Sequence, residues 1–448
     1  MAKKVLLISL GCAKNLVNSE QMLTLLDDAG YELTDDPNGA DAAIVNTCGF
    51  IDSAKLEAID RILWLAEFKK QGLLKKIIVA GCFSQRYQDE LFKELPEIDA
   101  LVGTGSYKNI VDVVNALLEE GKKQVSDYGD INAPVDEIVR SVDTSVKWAY
   151  IKIAEGCDNR CSYCVIPDLR GKFRSRTIEN IVEEAEGLAE MGMKELIVVA
   201  QDITRYGIDI YGKRSLAELL ERLCEIPGFD WIRLHYLYPD ETDDELIDVI
   251  ANEDKILKYL DIPIQHINDK VLKLMNRRGT GDEIRELFKK LRDRIPGLVL
   301  RTSLISGLPG EGEEEFEELC EFLREAKIER AGVFPYSPEE GTPAAEMDRP
   351  DEDTANERAR ILMEIQNDVM DSFNASRIGK VEKVIVEGCT EEDANMYWGR
   401  SFAESPDVDG IIMFKLEDES LIENGFVNVR ITEDIDGDMF GVVCEEDQ

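Results

Sequence analysis

The sequence predicts an α/β protein in three parts: an N-terminal parallel α/β sheet, a central partial (β/α)6 barrel and a small C-terminal all-β, OB-like barrel. Three observations carry that expectation. Short apolar runs alternate with helical stretches up to about residue 125. Six strand-then-helix units follow between Lys147 and Pro335. After residue 377 short strands separated by turn residues replace the helices.

In the first part (residues 1–125), VLLIS (Val5–Ser9), AAIVN (Ala42–Asn46) and KIIVA (Lys76–Ala80) read as buried strands of a parallel sheet, separated by helical stretches such as Glu20–Ala29. Residues 126–143 have a weaker apolar pattern and contain Pro134, and read as a linker with room for an edge strand. The second part (144–376) places strands near Trp148–Ile153, Glu195–Ala200, Trp231–Tyr236, Tyr259–Ile264, Leu298–Ile305 and Ala331–Pro335. Helical patterns lie between them, as at Thr177–Met191 and Glu313–Ala326, and a long helix near Asp353–Asn374 leads out. Six units rather than eight imply a partly open barrel. The third part (377–448) carries the strand patterns KVIVEG, GIIMFKL, FVNVRITE and FGVVCE.

The 448 residues suit two to four domains at roughly 100–200 residues each, and 44% apolar residues supply real cores. The net charge of -40 repels free nucleic acid and favours basic partners, although an acidic surface also serves plain solubility. No apolar run approaches the ~20 residues that span a bilayer. The opening MAKKVLLISLGC has too short an apolar stretch for a secretion signal and reads as a strand ending at Cys12. The expected location is therefore the cytoplasm, where ten cysteines favour metal or catalytic work over disulfides.

Cys157, Cys161 and Cys164 form C-x-x-x-C-x-x-C just after the first barrel strand, at the end where barrel enzymes build their sites. Thiolates are soft ligands suited to iron–sulfur clusters or zinc. Structural zinc wants four ligands, and no fourth Cys or His lies near; the two histidines, His235 and His266, are lone and read as structural. Three thiolates on a 4Fe-4S cluster leave one iron open for the amino and carboxylate groups of S-adenosylmethionine (SAM), and Tyr163 suits packing against adenine. Cys12, Cys48 and Cys82 are far apart in sequence, yet each ends a predicted parallel strand. The carboxyl ends of such strands line the ligand crevice of an open sheet, so the three would converge on one site. From position alone, three buried structural cysteines remain the alternative. Cys224, Cys320, Cys389 and Cys444 lie in strand or helix patterns and read as core. Gln201, Asp202 and Arg301 lie on barrel strands and are candidate contacts to SAM or substrate, with packing at the barrel mouth as the alternative. Gly307 and Gly310 would permit close backbone approach to SAM, or simply form a turn.

The segments SLGCAKNLVNSE, VNTCGFI, AGCFSQRY, EGCDNRCSYCVIPDLRGKFRSR, LISGLPGE and PYSPEEGTPA together resemble the radical SAM methylthiotransferases, nearly end to end. The resemblance implies an N-terminal methylthiotransferase domain, a radical SAM barrel and a C-terminal TRAM β-barrel. It also implies a second, auxiliary 4Fe-4S cluster on Cys12, Cys48 and Cys82. Within the family, GCAKNLVNSE, NTCGFI, GCFSQRY and GRSFAESPDVDG (Gly399–Gly410) are similar to the RimO branch, which modifies an aspartate of small-subunit ribosomal protein twelve. The MiaB-like branch, which modifies tRNA adenosine, is the alternative. Asn18 stands where the RimO branch would have Asp, at the expected start of the first helix, where either residue caps.

Charge bears on the choice. Residues 377–448 hold six Lys/Arg (Arg377, Lys380, Lys383, Arg400, Lys415, Arg430) against nineteen Asp/Glu. A module gripping tRNA should be basic, because phosphate neutralisation dominates nucleic-acid affinity. An acidic one suits a basic ribosomal protein, free or on the ribosome, and makes tRNA the less expected partner. The resemblance implies two SAM molecules: one donating methyl to sulfur at the auxiliary cluster, one cleaved at the Cys157/Cys161/Cys164 cluster with an electron from an external donor. Both triads must then face one cavity. A plain electron carrier is the less economical reading, because it would give each cluster four cysteines. An RNA-binding module would not need the barrel.

Overall fold

The computed structural model describes residues 2–135, 140–390, 393 and 395–444. The N-terminal sheet comprises β1 (Lys4–Ser9), β2 (Glu32–Leu33), β3 (Ala42–Thr47), β4 (Lys76–Gly81), β5 (Ala100–Gly105) and β6 (Val125–Gly129), all parallel, in the order β2-β1-β3-β4-β5-β6. β3 is buried along its whole length, as a strand covered by helices on both faces must be. The expected edge strand of the 126–143 segment is β6. Past it, Arg140 is held down rather than loose: it is 1% exposed and its Nε donates to Glu184 at 2.9 Å.

The central part begins with β7 (Trp148–Lys152) and a short antiparallel ribbon, β8 (Ala154–Glu155) with β9 (Arg174–Ser175). It continues with β10 (Glu195–Val199), β11 (Trp231–Leu234), β12 (Ile256–Asp261), β13 (Val299–Ser306) and β14 (Arg330–Pro335). These form an open parallel sheet, β14-β13-β12-β11-β10-β7, the expected six-stranded partial barrel. Alternate residues divide the faces. Ile151, Leu196, Val198, Ile232, Leu234 and Leu300 pack outward in the main core under the helices. The inner face carries Tyr150, Lys152, Glu195, Arg233, Tyr259 and Arg301, and its polar side chains need partners. β11 and β12 end earlier than the sequence suggests, at Leu234 and Asp261, the latter because Pro263 has no N–H for a ladder. Chain pairing resumes only at an isolated bridge between Gln265 and Leu304.

The C-terminal part is a closed barrel of β15 (Val381–Cys389), β16 (Met396–Arg400), β17 (Ile412–Lys415), β18 (Phe426–Ile435) and β19 (Asp438–Val443), ordered β15-β16-β17-β19-β18. β16 (MYWGR) is absent from the sequence expectation, since Gly399 and Arg400 break its apolar run. Cys389 is exposed, not core: it ends β15 at the barrel rim. No helix among the described residues is long and apolar enough to cross a membrane.

Candidate active site

Each cysteine of the first-listed strands sits where its strand gives way to a helix. Cys12 precedes α1 (Ala13–Asp28), and its carbonyl accepts from Asn15 and Leu16 N–H at 2.8 and 3.1 Å. Cys48 follows β3 and precedes α2 (Asp52–Lys70), and Cys82 opens α3 (Cys82–Tyr87). Gly11 has φ +90°, and a Cβ there would stand 2.7 Å from that of Cys48. Gly49 likewise lies against the Phe83 backbone. Only glycines let the three turns close together in this way. The thiols feel one another: burial, then the charges of Cys82 and Cys12, push Cys48 up to about 12. Burial would also raise Cys12, but Lys14 and Arg170 outweigh it and hold it below its ordinary value.

The C-x-x-x-C-x-x-C loop leaves β8 at Gly156 (φ +83°) and runs into α4 (Ile166–Arg170). Cys157 N–H donates to Gly171 O at 3.1 Å and Cys164 N–H to Cys161 O at 3.0 Å. Burial raises the Cys157 thiol to about 11 and raises Cys164 further. Among the described residues no three His, Cys, Asp or Glu side chains close on a single metal ion. Neither triad is therefore drawn in as a mononuclear zinc site would be. The charges of Cys161 and Cys157 also act on Cys164, so each set brings three thiols into one neighbourhood, and thiolates are the ligand type that iron–sulfur clusters take.

The two triads lie at one interface. Val165, next to Cys164, packs with Leu169, Phe50 and Cys82 in a single apolar cluster. Beside it the buried Arg170 spans both sides. Its Nε donates to Cys82 Sγ at 3.4 Å, and its Nη1 donates to Asn18 Oδ1 and Glu155 Oε2, each at 3.1 Å. Its Nη2 also donates to Asn15 Oδ1. Glu155 accepts in addition from Lys152 (2.9 Å) and Gln201 (2.8 Å); despite burial, the charges of Arg170 and Lys152, helped by these hydrogen bonds, hold its carboxyl well below the usual carboxylate range. Asn18 is thus no cap: it lies in the second turn of α1 and meets Arg170.

The other expected residues fall as follows. Tyr163 is packed with Leu308, Val271 and Met275, and its hydroxyl accepts from Arg277 at 3.2 Å. Asp202 caps the turn after β10 and accepts from Asn159 at 2.8 Å, bracing the cysteine loop. Arg301 turns to Asp261 at 2.8 Å, with Asp409 at 4.0 Å. Gly307 and Gly310 have φ +76° and +86° and abut Ala355 and Leu274, so local packing already requires glycine at both. Sequence reasoning missed Arg170, Lys14, Glu155 and Arg277. The first three lie within the quoted motif segments, but only the fold shows what they meet. Arg277 reaches the loop across 116 residues, its Nη1 3.8 Å from Cys161 Sγ, and no local pattern signals it.

A second tie lies in the PYSPEEGTPA segment. Glu339, 1% exposed, accepts from Lys55 at 2.7 Å and Arg86 at 2.6 Å, joining the barrel to the turns that carry Cys48 and Cys82. Glu339→Gln should cost about 1.5–3 kcal/mol, the scale of hydrogen bonds to charged groups. Hydrogen exchange should then quicken in Phe50–Lys55; unchanged protection there would exclude the tie.

The 400–409 segment, between β16 and β17, fills the open inner face of the central barrel. Arg400 pairs with Glu195 (2.7 Å) and Glu387 (2.6 Å). Arg233 donates to Phe402 O at 2.9 Å, Ser405 Oγ lies 2.9 Å from His235 Nε2, and Tyr259 donates to Asp409 at 2.6 Å. The segment thus supplies partners for Glu195, Arg233, His235 and Tyr259 of that face.

Comparison with known proteins matches three family models: the Radical SAM superfamily over residues 151–323, Uncharacterized protein family UPF0004 over 4–103 and the TRAM domain over 378–444. The chain is 47% identical to the ribosomal protein uS12 methylthiotransferase RimO of Acetivibrio thermocellus, over 100% of this chain and 99% of that one. The chain belongs to the RimO family of radical SAM methylthiotransferases. It is also 49% identical to the RimO protein of Pelobacter propionicus, over 99% of this chain and 98% of that one. Among solved structures it is similar to the radical S-adenosylmethionine methyltransferase TsrM of Kitasatospora setae, with a TM-score of 0.55 at 16% identity over 77% of this chain and 74% of that one. That likeness concerns the fold alone. The RimO-like wording of Gly399–Gly410 falls on the segment that fills the barrel.

Proposed function

We propose that this enzyme adds a methylthio group to the β-carbon of an aspartate in ribosomal protein uS12. In this reading Cys157, Cys161 and Cys164 hold one 4Fe-4S cluster and Cys12, Cys48 and Cys82 a second, and two SAM molecules are used. The working parts are residues 1–125, 144–376 and 377–448. The observation that carries the reading is the meeting of both triads at one interface, with Val165 against Cys82 and Arg170 between them. When bound, the clusters and SAM supply reductive sulfonium cleavage, hydrogen abstraction and the transferred sulfur.

The chain's own residues do the rest. Asp202, through Asn159, fixes the cysteine loop, and Arg277 braces Tyr163 beside it. Gln201 and Lys152 hold Glu155 ionised, so that it anchors Arg170. Val165, Leu169 and Phe50 keep water from the gap, which protects a reactive radical from side reactions.

The C-terminal barrel supports a protein substrate. Of its six Lys/Arg, Arg377 pairs with Glu382 and Glu404, Arg400 with Glu195 and Glu387, and Lys383 with Asp230. Arg377 and Arg400 are buried in these pairs, and the rest of the module keeps the acidic excess of its composition. Such a surface attracts a basic ribosomal protein and repels tRNA. A cytoplasmic location and an external electron donor follow from that substrate and chemistry.

The test is an anaerobic assay of the reconstituted enzyme with SAM, reductant and sulfide, offering uS12 and isopentenyl-modified tRNA in parallel, read by mass spectrometry. Methylthiolation of the uS12 aspartate is expected. Modification of the tRNA alone would reject the substrate and keep the family chemistry.

A further inference from the structure

We propose that Lys14 receives the carboxylate of the substrate aspartate at the junction of the two cysteine triads. The inference rests on the protein-substrate reading above and names the side chain that would give the site its preference for an acid.

Lys14 lies in the first turn of α1, two residues beyond Cys12, and is only 7% exposed. Its ammonium stands 3.6 Å from the centroid of the Tyr236 ring, two residues past the end of β11 at the barrel mouth. It therefore bridges the turn that carries Cys12 and the ends of the barrel strands. Among the described residues no carboxylate forms an ion pair with it. The neighbouring buried cations are all paired: Lys152 and Arg170 with Glu155, Arg233 and Arg400 with Glu195.

An ammonium withdrawn from water loses several kcal/mol of solvation. An aromatic face returns only about 0.5–2 kcal/mol of that. The neighbours of Lys14 are the Tyr236 ring and the Cys12 sulfur, neither of them a carboxylate, so the ammonium can still pair with a carboxylate that arrives with the substrate. The chemistry proposed for the site supplies one, because an aspartate side chain is ionised at neutral pH. The carboxylate carbon is bonded directly to the β-carbon, so a salt bridge to Lys14 would fix the reacting carbon one bond away from the anchored group. Positioning of that kind is worth rate as well as affinity. Asparagine, equal in shape but neutral, would leave the ammonium unpaired.

The competing role is balance of the charge of the thiolate-bound cluster beside Cys12, and the substrate carboxylate separates the two. Binding of uS12, and of uS12 with its target aspartate changed to asparagine, would be measured on the reconstituted, full-length enzyme under anaerobic conditions. Wild type should bind the aspartate form about 10-fold or more tightly, the scale of a charge-assisted hydrogen bond. Lys14→Met should bind both forms alike with its iron content unchanged, and Lys14→Arg should keep part of the preference. Equal binding of the two forms by wild type, a full preference retained in Lys14→Met, or loss of iron from Lys14→Met would each overturn the inference. A wild-type enzyme that ignores uS12 and methylthiolates tRNA instead would show that the substrate reading itself had failed.

Discussion

Arg170→Met should destabilise the protein by about 3–5 kcal/mol, the usual cost of removing one member of a buried ionic cluster. The guanidinium is 4% exposed and serves Cys82, Asn15, Asn18 and Glu155 at once. Methionine fills most of the space but satisfies none of these acceptors. Glu155 keeps Lys152 and Gln201, so part of its charge stays compensated, whereas Asn15 and Asn18 lose their cation outright. Because Arg170 belongs to the barrel and three of its partners to the N-terminal part, the loss should appear chiefly between those parts. Urea unfolding followed by tryptophan fluorescence should show a separate early transition, and iron bound per chain should fall. Arg170→Lys should recover little, since a point charge cannot address several acceptors in fixed directions. A single transition displaced by under about 1 kcal/mol would mean that the apolar contact of Val165 and Leu169, not the guanidinium, joins the two parts.

Residues that obey a local rule were legible in the sequence. β3, β4 and β10 are short apolar runs, and the Glu313–Ala326 helix begins and ends where its periodicity does. Cys12, Cys48 and Cys82 were placed by a topological rule: strand ends of a parallel sheet share an edge. What was misread or left open lacked a local signal. Asn18 looked like a cap because its partner, Arg170, is 152 residues away. Arg301 left ligand contact and packing at the barrel mouth both open, and Asp409, which it approaches beside Asp261, comes from another part of the chain. Gly307 and Gly310 read either as a close approach to ligand or as a turn, and the side chains they abut, Ala355 and Leu274, are remote in sequence. The motif segments marked where chemistry gathers without saying which of their residues face it.

The same distance effect governs Glu404, which no sequence pattern singles out. It is 1% exposed and accepts from Arg330 at 2.8 Å, from Arg377 and from the Ser401 hydroxyl at 2.8 Å. Burial works against its charge, but Arg377 and Arg330 prevail and hold its carboxyl at about 2, below the ordinary 4.5. A depressed carboxylate stabilises the fold fully above its unfolded value and loses that contribution as pH falls through its folded value. Glu404 should therefore contribute about 3 kcal/mol at pH 7, and progressively less from pH 4.5 down toward pH 2. Glu404→Gln should be less stable than wild type by that amount at neutral pH, with the gap narrowing by pH 3. The narrowing is the decisive part, because a loss of packing alone would be the same at both pH values. Since Arg330 opens a strand of the central barrel and Arg377 leads into the C-terminal one, the variant should also loosen the 400–409 segment from the barrel interior. Protease cleavage within Ser401–Asp409 reports that release. If the segment remains protected while stability falls, Glu404 serves the C-terminal barrel alone, and Arg400 with Glu195 carries the junction.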